Sequence, residues 1–214
     1  MHRHPRRPPA HPRWASVSSL LQDDVEWTPE ARREFLATID EETDRLNGLV
    51  GNLLDMSRLQ AGALDVDATP VGLDEVLPAA LHSLGLADDA VDVDVAESLP
   101  RVLADRGLLE RALANVIQNA VRYSPAGQRV RVTAGAVDSL VDVRIADRGP
   151  GVPADERTRL FLPFQRFGDS GNDNGVGLGL AVAKGFVESM SGEIELEDTP
   201  GGGLTVVARL RRAE

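Results

Sequence analysis

The chain has 214 residues, 42% apolar and 27% charged, which is typical of a globular protein with one or two domains. Its 23 lysines and arginines against 34 aspartates and glutamates give a net charge of −11, so phosphates would repel it and nucleic acid is an unfavourable partner. The sequence has no cysteine, which excludes disulfides and thiolate chemistry, and no apolar run near the roughly 18 residues that span a bilayer, so we expect no membrane contact from this chain.

The first 14 residues differ from the rest of the chain because they are basic and rich in proline. They hold four arginines, three of the four histidines and four of the 13 prolines, with no acidic residue. Prolines at this density do not fit a regular helix, and the segment lacks the apolar stretch of a signal peptide. The composition predicts a disordered tail over 1–14.

Helical periodicity dominates 29–62. Two rows of apolar residues, seven apart within each row, predict a heptad seam: Ile39, Leu46 and Leu53, then Leu49 and Met56. A shorter amphipathic stretch at 15–22 is the candidate antiparallel partner, with 23–27 as the turn. One helix cannot bury its own apolar stripe, so we predict a helical hairpin over 15–64 that forms a homodimer through a helical bundle.

After Gly62 the pattern changes to strands that alternate with helices. Strict apolar–polar alternation predicts strands at 91–95, 129–133, 140–145, 193–197 and 204–208. Helical stretches lie at 73–86, 107–123 and 178–190, and the segment 163–175 is predicted to be a loop. This order predicts an α+β domain over 70–212, a two-layer sandwich in which helices cover one face of a mixed sheet.

Two clusters of polar residues lie on or directly after these predicted elements. Asn115 and Asn119 are four apart, so both amides lie on one helical face, either as oxygen ligands for Mg²⁺ or as solvent-facing amides. Asp147 comes directly after a predicted strand and is followed by Gly149 and Gly151. A carboxylate placed there either accepts a hydrogen bond from a base amine or belongs to an ordinary turn.

A third cluster, Gly175, Gly177 and Gly179, opens a predicted helix, whose free amide groups suit a phosphate or a close helix contact. In this order the three clusters resemble the N, G1 and G2 boxes of histidine kinases, within the ATPase superfamily that includes gyrase and the Hsp90 chaperones. The runs 161–167 and 201–205 resemble the F box and the final Gly-Thr box. The run 52–62 is similar to the end of the second dimerisation helix of these kinases.

The resemblance implies a Bergerat-type ATP-binding fold with ATP and Mg²⁺ as cofactors. It implies that Asn119 ligates the Mg²⁺ that bridges the phosphates and that Asp147 binds the adenine amine. The remaining residues that it implies for the nucleotide site are Asn115, Arg122, Tyr123, Gly149, Gly151, Phe164, Gly175, Gly177, Leu178, Gly179, Leu180 and Thr205.

The phosphoacceptor that the resemblance implies is His4. In the family the next residue is an acidic base, but Pro5 occupies that place here, and Pro8 replaces a threonine. Each proline in a helical interior costs about 3 kcal/mol, so we expect the first dimerisation helix to be truncated or scrambled, for instance by a frame error or a displaced start codon. Autophosphorylation of this chain is therefore expected to be weak or absent.

The function implied is that of a sensor histidine kinase catalytic region, most similar to the potassium-responsive sensors. Such an enzyme passes the γ-phosphoryl group of ATP to a histidine and then to an aspartate of a response-regulator receiver domain, in the cytoplasm. Two alternatives stay open. One is a nucleotide-binding or scaffold module that lacks a competent phosphoacceptor, and the other is an ATP hydrolase of the gyrase or chaperone branch.

Overall fold

The computed structural model describes residues 27–87, 89–165 and 176–213, and contacts divide the chain into two compact units, Met1–Gly51 and Asn52–Glu214. The helices are α1 (Pro29–Gln60), α2 (Leu73–Ser83), α3 (Arg106–Tyr123) and α4 (Gly179–Ser189), with a 3₁₀ helix at Arg157–Phe161. The strands are β1 (Thr69–Val71), β2 (Val91–Asp94), β3 (Val102–Ala104), β4 (Val130–Val137), β5 (Leu140–Ala146), β6 (Glu193–Asp198) and β7 (Leu204–Arg211). The predicted tail, the 15–22 helix and most of the turn at 23–27 lie outside the described residues.

Helix α1 begins where the sequence places a helix start. The Thr28 hydroxyl accepts a hydrogen bond from the Ala31 amide at 3.2 Å, and Glu30 lies in the first turn near the positive end of the helix. The Trp27 ring packs on Phe35 with a centroid distance of 5.8 Å. These contacts fix the first turns of the helix.

One face of α1 is apolar and exposed. Five side chains on this helix have more than half of their surface in solvent: Leu36, Leu46, Val50, Leu53 and Leu54. The row of Ile39, Leu46 and Leu53 matches the prediction, but its companion row runs through Leu36 and Val50. The assignment of Met56 to the seam is wrong, because Met56 packs against the hydrophobic core of the second unit.

The second unit contains a mixed five-stranded sheet, as predicted. Its strand order is β2-β4-β5-β7-β6, and only β2 and β4 run parallel. Strands β1 and β3 form a separate antiparallel pair that the sequence did not predict, because three residues are too short to display a period of two.

The core lies between one sheet face and helices α2, α3 and α4, which confirms the two-layer sandwich. On β5, Val141, Val143 and Ile145 point into this core and are fully buried. Asp142 and Arg144 point the other way and form cross-strand ion pairs on the face without helices. In the described parts of the chain, no helix combines the length and the apolar character needed to cross a membrane.

Candidate functional site

Helix α3 presents the two predicted asparagines at the edge of the core. Its start is fixed by Asp105, whose carboxylate accepts a hydrogen bond from the Leu108 amide at 3.0 Å. Asn115 and Asn119 lie one turn apart and are half-buried. Among the described residues neither amide side chain has a hydrogen-bond partner, so both amides are available to a ligand.

The first turn of α4 lies beside the Asn115 amide. A Cβ atom on Gly179 would be 3.5 Å from Oδ1 of Asn115. No side chain caps this helix, so its first amide groups keep their hydrogen-bonding capacity. Leu178 and Leu180 are buried and anchor the turn. A helix N-terminus with free amides beside an asparagine side chain suits a phosphate group.

Asp147 follows β5 and is 4% exposed. Its Oδ1 accepts hydrogen bonds from the amides of Gly149 at 2.8 Å and Leu204 at 2.9 Å. Burial raises the pKa of this carboxyl, and the two backbone hydrogen bonds oppose that rise. Both bonds use the same oxygen, so Oδ2 is the atom that can accept a hydrogen bond from a ligand amine.

Glycines bring the backbone close around Asp147. A Cβ atom on Gly149 would be 2.7 Å from the Tyr123 carbonyl oxygen, and one on Gly203 would clash with the Asp147 carbonyl oxygen. Gly203 also has a φ of +114°, which favours glycine. We did not predict Gly203 as a site residue, although the three successive glycines at 201–203 were the available signal. Gly151 lies in the segment that follows Asp147 and Gly149.

Thr205 lies on β7 opposite Ala146, the residue before Asp147. Its hydroxyl is buried and lies 2.9 Å from the Thr199 hydroxyl. Either threonine can donate, so the pair leaves one hydroxyl hydrogen free to point elsewhere. Thr199 was not predicted, because a threonine before a Pro-Gly turn indicates only a loop.

Arg122 and Tyr123 end α3 next to the Asp147 turn. The Arg122 guanidinium carbon is 5.8 Å from the centre of the Tyr123 ring, and both side chains are half-buried. A cation stacked on an aromatic ring keeps its donors directed outward.

Phe164 is tied to the glycine cluster by its backbone. Its amide donates to the Gly177 carbonyl oxygen at 2.9 Å, while its ring is 61% exposed. Of the predicted site residues, His4 and Gly175 lie outside the described residues. The other thirteen lie on α3, after β5, around the start of α4 and on β7.

The geometry fits a nucleotide with a metal ion. The carboxylate of Asp147 could accept a hydrogen bond from an amine, whereas the Asn119 amide and the free amides at the α4 start could bind anionic oxygens. Within 27–87, 89–165 and 176–213, no group of three or more acidic or histidine side chains could hold a metal alone. A magnesium ion at Asn119 would therefore take its other ligands from phosphates and water, as Mg²⁺ commonly does.

Two family models match this chain. Residues 104–214, more than half of it, match the histidine kinase-, DNA gyrase B- and HSP90-like ATPase model. Residues 15–62 match the His Kinase A phospho-acceptor domain. The chain belongs to the histidine kinase family. The second match does not include His4.

The chain is 48% identical over 219 residues to Sensor protein KdpD of Mycobacterium tuberculosis (strain CDC 1551 / Oshkosh), covering 99% of this chain and 25% of that protein. It is 32% identical over 182 residues to Sensor-like histidine kinase SenX3 of Mycolicibacterium smegmatis, covering 83% and 47%. The structure of full-length ShkA in complex with AMPPNP is similar, with a TM-score of 0.68 and 31% identity over 89% of this chain and 41% of that one. The chain thus spans a quarter of the KdpD relative and less than half of the other two.

Proposed function

We propose that this chain is the catalytic region of a sensor histidine kinase that binds Mg²⁺-ATP and transfers the γ-phosphoryl group to a histidine and then to a response-regulator aspartate. One observation carries the proposal: Asn115 meets the uncapped start of α4, while Asp147, at the end of β5, keeps one carboxylate oxygen unbonded. The similar protein ShkA was solved in complex with AMPPNP, which supports nucleotide binding by this chain.

Asp147 and its turn form the base end of the proposed site. Oδ2 accepts a hydrogen bond from the exocyclic amine of adenine, and the close backbone of Gly149 and Gly203 leaves room for the ring. Tyr123 lies beside this turn and offers an aromatic face to the base. Thr199 donates to the Thr205 hydroxyl in this proposal, and the remaining hydrogen of Thr205 then supports the base.

Asn119, Asn115 and the α4 start form the phosphate end. Mg²⁺ would neutralise phosphate charge when bound, and the side-chain oxygen of Asn119 would be the ligand that the chain supplies. The amides of Gly177 and Gly179 and the cation of Arg122 balance the remaining negative charge. Transfer breaks the bond from the γ-phosphorus to the oxygen that bridges it to the β-phosphate and forms a bond to an imidazole nitrogen, with ADP as the leaving group.

The acceptor histidine in this proposal is His4, which precedes the helical segment. Residues 15–64 form the dimerisation and phosphotransfer segment, and residues 70–212 form the ATP-binding domain. The exposed seam of Leu36, Leu46, Val50 and Leu53 supports a homodimer, because a second copy can cover it. The sensor relatives support a receiver domain as partner and a cytoplasmic location.

Labelled ATP tests the reaction. We expect label on the chain, mapped by mass spectrometry to His4, lost in His4→Ala and passed on to an added receiver domain. Because Pro5 replaces the acidic base, the label should form slowly. Release of inorganic phosphate without protein label would instead place the chain in the ATP hydrolase branch.

A second candidate is a nucleotide-binding scaffold that lacks a competent phosphoacceptor. It is favoured by Pro5 and Pro8 beside His4 and by a phospho-acceptor match that covers only 15–62. Tight ATP binding with no label on His4, and label on an added partner kinase, would select this candidate.

A further inference from the structure

The end of α1 carries a buried carboxylate that the proposed chemistry does not use. Asp55 is 2% exposed and forms an ion pair with Arg111 of α3. The Arg111 guanidinium carbon also lies 5.3 Å from the centre of the Phe186 ring in α4, and that ring is fully buried. One guanidinium on α3 therefore contacts a side chain of α1 and a side chain of α4.

A second contact holds the same stretch of α1. Leu59 lies so close to α4 that a Cβ atom on Gly185 would be 2.5 Å from its Cδ1. Glycine is otherwise unfavourable inside a helix, so its presence here serves the approach of the leucine. Met56 also packs against the core of the second unit. The last turns of α1 are thus seated on the nucleotide-binding helices.

The spacing along α3 and α4 connects this contact to the candidate site. Arg111, Asn115 and Asn119 are successive members of an i, i+4 row, so they share one face of α3. Phe186 lies seven residues, about two turns, after Gly179 in α4. The ion pair orients Arg111, and the contact of Arg111 with Phe186 therefore links α3 to α4 within two turns of the point where Asn115 meets Gly179.

We propose that Asp55 and Arg111 are positioning residues for the nucleotide: the Asp55 carboxylate holds the Arg111 guanidinium across α3 and α4 and so sets the separation of the Asn115 amide and the α4 start. This inference rests on the proposed function, because the ligand positioned is the same Mg²⁺-ATP. Without the carboxylate, Arg111 turns to solvent and the two helices lose their shared cross-link. By reciprocity, bound nucleotide strengthens the ion pair.

Asp55→Asn in the full chain tests the proposal, since it keeps the side-chain size and removes the charge. We expect the calorimetric Kd for Mg²⁺-ATP to rise about tenfold, within the usual range of coupling between sites. The increase in Tm on adding Mg²⁺-ATP should shrink in parallel. Arg111→Lys keeps the charge but loses the planar contact with Phe186, and about a threefold weaker Kd is expected.

Glu75→Gln is the matched control. It breaks the exposed ion pairs of Glu75 with Arg106, which also lies on α3, at 3.0 Å and with Arg101 at 3.3 Å. Neither pair involves a residue of α4. We expect its Kd and its nucleotide-dependent change in Tm to equal those of the unchanged chain. A lower Tm in Asp55→Asn or Arg111→Lys with an unchanged Kd would mean a purely structural contact and would overturn the proposal, as would tighter binding.

Hydrogen exchange without nucleotide separates this inference from the proposed function. Positioning predicts faster exchange at the first turn of α4 and around Asn115 in Asp55→Asn, but not in Glu75→Gln. If the unchanged chain fails to bind ATP, the proposed function fails, and the exchange pattern still decides the inference. Equal exchange in both variants at these positions would overturn it. Should Asp55→Asn not fold, the same comparison is made with Arg111→Lys.

Discussion

The described part of the first unit and the second unit bury their apolar side chains in different ways. In the second unit, side chains from α2, α3 and α4 and from one sheet face enclose each other, and residues such as Leu109 and Ile145 have almost no exposed surface. Along the α1 part of the first unit, Leu36, Leu46 and Val50 are each more than half exposed. The sandwich therefore supplies its own core, whereas the helix needs a second surface.

The difference separates two kinds of stability. Unfolding of the sandwich should not depend on protein concentration, because its buried surface belongs to one chain. Formation of the α1 bundle should depend on concentration, because its buried surface is shared between copies.

The largest effect is expected for charge placed on the exposed seam. Leu46→Asp with Leu53→Asp should weaken the homodimer about 100-fold or more, since burying an unpaired carboxylate costs several kcal/mol and each 1.4 kcal/mol is tenfold. Sedimentation at micromolar concentration should find dimers of the unchanged chain and monomers of the variant. Asp44→Ala, exposed on the same helix, is the control and should stay dimeric. Monomers from the unchanged chain would refute the dimer.

A cavity in the sandwich should destabilise the second unit and leave the α1 dimer unchanged. Leu109→Ala removes a fully buried side chain of α3 and should lower the free energy of unfolding of the sandwich by about 2–5 kcal/mol. Denaturant titration measures this loss, and sedimentation should find the dimer unchanged. Loss of the dimer in this variant would mean that the two units are not independent in stability.

Asp147 should make nucleotide affinity sensitive to acid. Its pKa is raised by burial, so the carboxylate becomes protonated in the pH range just above its ordinary value of 3.8, and a proton on Oδ2 turns this oxygen into a donor and a poor acceptor for the ligand amine. The affinity for ATP should fall as the pH drops through this range, whereas the fold itself gains from the protonation, because the buried charge is removed.

Asp147→Asn should weaken ATP binding about 10- to 100-fold near neutral pH, the cost of a hydrogen bond to a charged group. Its Kd, followed by calorimetry across the same range, should retain only the titration of the ligand. An unchanged pH profile in this variant would exclude Asp147 as the source of the dependence.

The smallest effect is expected at the start of α1. Thr28→Ala removes the side-chain cap of the Ala31 amide and should cost about 1 kcal/mol of helix stability. Because this half of the helix has little core of its own, circular dichroism should detect fraying there while the sandwich keeps its Tm. A lower Tm of the sandwich would contradict the separation of the two units.

Local patterns were sufficient for most of the fold. The alternation at 129–133, 140–145, 193–197 and 204–208 predicted β4, β5, β6 and β7, and the interval of four between Asn115 and Asn119 predicted their shared face. These features depend on neighbours within a few residues, which a sequence displays directly. For the same reason the motif order was enough to indicate the family.

Contacts between distant residues were not predictable in the same way. Asp55 and Arg111 are 56 positions apart, and nothing local in either segment indicates the other. Met56 was assigned to the dimer seam because one helix can present apolar residues to two neighbours with the same spacing, and only packing decides between them. The role of Gly185 likewise depends on Leu59, far away along the chain.

Calorimetric titration of the full chain with Mg²⁺-ATP tests the central claim most directly. The account predicts saturable binding that is weakened at least about tenfold by Asn119→Ala, since a hydrogen bond or ligand contact to a charged group contributes about 1.5–3 kcal/mol. Gln118→Ala, the exposed neighbour on α3, should bind like the unchanged chain. Absence of binding by folded protein, or equal Kd values for Asn119→Ala and Gln118→Ala, would contradict the account.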